Sequence, residues 1–127
     1  MPRFGFADAA WDRAKGEARH VLIDTARRQG TISYSDLVAR ITAIALEAHS
    51  YAIRTFLNEI STSEHNDGKG LLSVVVVYRH GDQMPGPGFF ELARSLGYQF
   101  RDETEFWVQE LQRVYRIWAA PGAGSSR

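Results

Sequence analysis

Apolar residues recur along the chain at two different spacings, and the change from one to the other marks the predicted elements. Trp11, Ala14, Ala18, Val21, Leu22 and Thr25 or Ala26 fall at offsets 0, 3, 7, 10, 11 and 14 to 15, the stripe of a helix that buries one face. The spacing predicts a helix over 9–29, with Asp8 as its N-cap and Gly30 as the C′ glycine that ends it. Asp12, Arg13, Lys15, Arg19, Asp24, Arg27 and Arg28 fall on its other side, as a solvated charged face does. Leu37, Val38, Ile41, Ile44 and Ala45 supply the buried side of a second helix, opened by Ser33 or Ser35 and running to Ile41 or Ala45. Behind a cap at Ser50, Ile53, Phe56, Leu57 and Ile60 repeat at 0, 3, 4 and 7. That predicts a third helix over 50–63, dissolving into a polar loop over 63–70 whose Asp67-Gly68 is a turn signal.

The spacing then changes. Leu71 to Tyr78 is almost uninterrupted aliphatic sequence, and Val74, Val75, Val76 and Val77 are β-branched in succession. Stiff χ1 angles and flanking turn formers predict a central strand covered on both faces. Arg79 to Gln83 is predicted as a polar turn. Met84-Pro85-Gly86-Pro87-Gly88 is predicted as an extended return, because each proline biases its predecessor away from the helical region. Phe89, Phe90, Leu92, Ala93 and Leu96 predict a short helix stopped by Gly97. Residues from Glu103 to Trp118 predict a final helix, with Glu103 and Glu105 in its first turn and Arg113 and Arg116 near its end, as the macrodipole favours. Residues 1–120 are expected to form one domain and 121–127 a disordered tail.

Composition narrows the function. At 127 residues the chain can bury a core without metal or disulfide support. It has no cysteine, which excludes disulfides, thiolate nucleophiles and sulfur-ligated zinc and fits a cytoplasmic location. Met1-Pro2-Arg3-Phe4 opens no apolar stretch of signal length, and no run approaches the roughly 20 apolar residues of a membrane span. No membrane partner is expected. Fifteen basic and fifteen acidic residues cancel, so no global field draws the chain to nucleic acid.

The order helix, short strand, helix, helix, strand, turn, strand is that of a winged helix. The expected fold is therefore α+β, a winged-helix-like centre with a small antiparallel sheet and packed N-terminal and C-terminal helices. Gly30-Thr31-Ile32-Ser33-Tyr34-Ser35-Asp36-Leu37-Val38, followed by a helix, the valine run and a glycine-containing turn, resembles the winged-helix portion of the alkyltransferase-like DNA-repair proteins over about residues 30 to 82. The block from Leu71 to Phe90 is also similar to bacterial or phage winged-helix-like proteins. The family's methyl-accepting cysteine would fall near Leu72-Ser73-Val74-Val75, where none stands, so the resemblance implies a DNA-binding framework without methyl transfer. The family's arginine that replaces the flipped base opens its recognition helix. Here Tyr51 stands nearest to that place and Arg54 lies a turn later.

On this framework the helix over 50–63 offers Arg54, Thr55, Asn58, Ser61 and Thr62 to a major groove, where Arg and Asn suit the edges of guanine and adenine. Arg79, in the turn, is placed for the flanking backbone. The expected function is a non-enzymatic module that binds double-stranded DNA. Local charge argues against it, since residues 41–70 hold two basic groups against four acidic ones, a balance of −2. The alternative is a protein-interaction or oligomerisation module. Phe89 and Phe90 point about 100° apart on a helix and are both buried only if covered from two sides, by the last helix or by a partner. A small hydrolase or nuclease is the third reading. Glu59, Glu64, His65 and Asp67 are hard-cation ligand types, but their spacing matches no known site. His80 and Asp82 flank Gly81 as turn polars, and His20 and His49 have no evident partner. Without a nucleophile, a paired base and an orienting group, no catalytic residue, metal ligand or cofactor is expected. Excess chelator should leave the melting temperature unchanged. A drop reversed by a divalent ion would show instead that Glu64, His65 and Asp67 hold a metal.

Overall fold

The computed structural model describes residues 4–79 and 83–119. The turn tip His80-Gly81-Asp82 and the tail 121–127 lie outside the described residues. Five α-helices are joined by one two-residue parallel pairing: α1 (Asp8–Arg27), β1 (Ile32–Ser33), α2 (Tyr34–Ala39), α3 (Tyr51–Asn66), a 3₁₀ turn (Leu72–Val75), β2 (Val76–Val77), α4 (Pro87–Ser95) and α5 (Glu103–Ile117). The described residues are thus mostly helical with a minimal sheet, an α+β composition in the loose sense.

Helix α1 buries Trp11, Ala14, Ala18 and Leu22 completely. Its N-terminal boundary residue is extended Ala7, and Asp8 falls inside the first turn. At its C-terminus the left-handed position belongs to Gln29 (φ +55°) and not to Gly30. The Gln29 and Gly30 amides donate to the Ala26 and Thr25 carbonyls, both at 3.0 Å, a Schellman arrangement in which the glycine is the second residue past the cap. Two charges expected to be solvated instead tie α1 to α3. Lys15 Nζ lies 3.0 Å from Glu59 Oε1, and Arg19 Nε lies 2.5 Å from Glu64 Oε2. The second pair explains why α3 runs past residue 63 to Asn66: Glu64 is 3% exposed in its side chain and belongs to the helix, not to a polar loop.

Helix α2 opens where Ser33 Oγ accepts the Asp36 amide (3.0 Å), and it stops at Ala39, short of the expected boundary. The following segment is irregular yet buries Ile41, Ile44 and Leu46. Irregular backbone needs polar partners, and α1 supplies one. Glu17 accepts the Thr42 amide (3.0 Å), the Ala43 amide (2.9 Å) and the Thr42 hydroxyl. The Thr42 hydroxyl, then the Ala43 amide, hold the Glu17 carboxyl below its ordinary range.

The valine run is buried from Leu71 to Val77, as expected, but it is not a long strand. Leu72–Val75 forms a 3₁₀ turn, and only Val76 and Val77 pair, in parallel, with Ile32 and Ser33. Two physical reasons account for the difference. Ser33 ends β1 by capping α2, so the ladder has no further partner. The helices α2 and α3 stand between the two strands, and such a crossover returns the chain in the parallel direction. The antiparallel sheet expected from the winged-helix order is therefore absent among the described residues. The Tyr78 amide donates to the Met84 carbonyl (3.0 Å). The Met84–Gly88 return is also shorter than expected, because Pro87 takes the first turn of α4, where its missing amide costs nothing.

Phe89 and Phe90 are 6% and 3% exposed. Phe106 of α5 packs on both, and Phe100 stacks on Phe106 with centroids 4.2 Å apart. The cover for the two rings thus comes from within the domain. Val75 is fully buried. An unpaired carboxylate there costs several kcal/mol, against a usual total of about 5–15 kcal/mol. Val75→Asp should therefore fail to fold. Native circular dichroism with an unchanged melting temperature would contradict this placement.

Candidate functional site

The segment leading into α3, the first turns of α3, the end of β2 and the turn at Gly86–Gly88 enclose a cleft of about 270 Å³. One wall is α3, whose cap at Ser50 (Oγ accepting the Ile53 amide, 3.2 Å) fixes where the helix starts. It contributes Ile53, Arg54, Leu57 and Asn58. The facing wall is aromatic. Tyr34, Tyr78 and His49 form a triangle, with centroids 5.2 Å apart for the two tyrosines and 6.2 and 6.0 Å from His49 to Tyr34 and Tyr78. Tyr34 Oη accepts the Gly86 amide at 2.9 Å, and burial pushes its hydroxyl pKa up. The hydroxyl keeps a proton that it can donate.

Side-chain ends approach both glycines of the Pro-Gly-Pro-Gly turn closely. A Cβ on Gly86 would lie 2.6 Å from Tyr78 Oη, and one on Gly88 would lie 2.4 Å from Arg54 Nε. Arg54 lies across Gly88 and donates from Nη2 to Glu91 Oε1 at 2.7 Å. No carboxylate lines the cleft itself, and Arg54 is the one Lys or Arg that does, among the described residues. The space is a donor-rich slot between an aliphatic floor and aromatic sides.

The six residues expected to contact DNA, five in the groove and Arg79 on the flanking backbone, are divided by the structure. Arg54 and Asn58 come together on the cleft wall. Thr55 and Thr62, with Asn58 again, line a second and more open hollow beside Lys15 and Glu59. Ser61 is fully buried, donating to Ser73 Oγ at 2.6 Å and accepting the Ser73 amide at 2.9 Å. Its face of α3 packs on the valine run, so it is removed from any groove-reading set. Arg79 is exposed and pairs with Asp36 of α2 at 2.6 Å. Two further arginines pair with carboxylates in the same way, Arg28 with Asp24 and Arg94 with Glu103.

The hard-ligand residues do not converge. Glu59 pairs with Lys15, Glu64 with Arg19, and His65 Nδ1 lies 3.0 Å from Tyr98 Oη. Among the described residues no three His, Asp or Glu side chains could hold one ion. Sequence reasoning missed Tyr34, His49 and Tyr78 as one group. The signal that could have found them is the alternation of Pro and Gly over 85–88, which marks backbone approached closely from outside.

Comparisons with protein-family models, with curated proteins and with solved structures find no match. The site is read from its own chemistry. If Tyr34 holds the turn in place, Tyr34→Phe should destabilise the protein by about 1 kcal/mol, the usual worth of one such bond, and speed hydrogen exchange at the Gly86 amide. Unchanged exchange at Gly86 would show that the hydroxyl does not fix the turn.

Proposed function

We propose that the protein is a non-enzymatic DNA-binding module whose cleft at the start of α3 receives an exposed base. The observation that carries this reading is the pairing of Arg54 and Asn58 with Tyr34 and Tyr78 in one slot that no carboxylate among the described residues lines. Arg and Asn offer hydrogen bonds suited to base edges. Aromatic side chains stack on any base face. A single base fits this geometry better than a continuous groove does, because Ser61 is buried and Thr55 and Thr62 line a different hollow. Arg79, one residue beyond Tyr78 and exposed, is placed to reach a phosphate once it leaves Asp36. The resemblance to the alkyltransferase-like DNA-repair proteins points the same way by analogy alone.

A protein-interaction module is the second reading. What favours it is the pairing of Arg28, Arg54, Arg79 and Arg94 with carboxylates, where a phosphate-binding face would leave a positive surplus.

Fluorescent oligonucleotides titrated at about 50 mM salt, where non-specific attachment is strong, decide between the two. A duplex with one unpaired base or a single strand should bind more tightly than intact duplex. With about three to five phosphate contacts, the slope of log K against log salt should be about −3 to −4.5. Arg79→Ala should weaken binding to every sequence alike and lower that slope by about one. Asn58→Ala should relax preference at one base, at a cost of about 1–3 kcal/mol. If no oligonucleotide binds, the DNA reading falls and the protein-interaction reading stands.

A further inference from the structure

We propose that Glu91 is a positioning residue that latches Arg54 across the bare backbone at Gly88, and that an incoming anionic ligand must displace Glu91 to use the cleft's cation. The inference rests on the DNA reading above. Three observations carry it. Among the described residues Arg54 is the one Lys or Arg that lines the cleft, so its availability sets the cationic character of the slot. The Arg54 side chain lies directly over the bare backbone at Gly88, where a Cβ would sit 2.4 Å from Nε. Glu91, three residues further along α4, holds Nη2 at 2.7 Å from outside the lining of the cleft.

The energetics suit a latch better than a strut. The two side chains are 38% and 70% exposed, and an ion pair so open to water is worth little and exchanges readily. A buried pair in the same place would lock Arg54, and no pair would leave it solvated. Glu91 and a phosphate are competing acceptors for one guanidinium, so each weakens the other by the same factor. Arg54's charge is felt inside the slot, where it acts to lower the Tyr34 pKa against the larger effect of burial.

Removing the carboxylate should therefore tighten binding. Glu91→Gln should raise oligonucleotide affinity by about two- to five-fold, the worth of a part-exposed pair. Because the substitution also adds one unit of net charge, Glu103→Gln serves as the control. It makes the same change at the Arg94–Glu103 pair (3.6 Å), which does not line the cleft, and it should gain less. In an Arg54→Gln background the advantage of Glu91→Gln over Glu103→Gln should vanish. Without any ligand, the Arg54 Nη2 protons should exchange faster in Glu91→Gln than in wild type, while the melting temperature stays within a few degrees of wild type. Equal gains in Glu91→Gln and Glu103→Gln, or a gain that survives in Arg54→Gln, overturn the latch. Binding by the wild type with no gain in Glu91→Gln removes the latch alone. No binding by wild type or variants removes the DNA reading on which it rests.

Discussion

A buried backbone segment without a partner strand must still satisfy its amides and carbonyls, and the run from Leu71 to Val75 is such a segment. Its solution organises the domain. The Leu71 amide goes to Glu110 of α5 (2.8 Å), the Ser73 amide to Ser61 of α3 (2.9 Å), and the Val74 amide turns back on the Leu71 carbonyl (3.0 Å). The Val74 carbonyl is taken by Trp107 Nε1 of α5 at 3.0 Å. Two helices thus perform with side chains what a sheet would perform with backbone, and they are held on either side of the run by doing so. Glu110 tolerates burial because it accepts this amide and is paired by Arg113 at 3.1 Å, which is the condition a buried carboxylate must meet.

This constraint explains which parts of the fold were legible in the sequence. Helical periodicity placed α1, α3, α4 and α5 to within a few residues, because each buries a regular stripe and ends in local chemistry, such as the Ser50 cap or the left-handed Gly97 (φ +97°). The valine run was legible as buried but not as a turn. Four β-branched residues favour extended backbone only when a neighbouring strand is there to pair, and whether one is there depends on Ser33, some forty positions away. The inward turn of Glu64 was hidden for the same reason. A glutamate among polar residues reads as solvated until the facing Arg19 is known.

The candidate site was half legible. Arg54 and Asn58 stood out as polar groups on a helix of known facing, and both lie on the cleft. Ser61, one turn further, looked equivalent in the sequence, yet it faces the run whose amide it satisfies. The aromatic side of the slot was not legible, since Tyr34, His49 and Tyr78 come from three separate stretches. Its electrostatic character was also hidden. A neutral chain can still contain a pocket that no described carboxylate lines, because acids that balance its cations, such as Asp36 and Glu91, meet them outside the slot.

The two-residue sheet is too small to contribute much stability, but its direction is consequential. Because Ser33 is in register with Val77 in a parallel pair, the chain leaves both strands at the same end, and the next residue of each is a tyrosine. Tyr34 and Tyr78 stand side by side for that reason. An antiparallel pairing of the same four residues would send the rings to opposite ends, and a slip of one position would turn one of them to the other face. Four residues of sheet therefore act as an alignment device, setting two distant aromatic rings 5.2 Å apart.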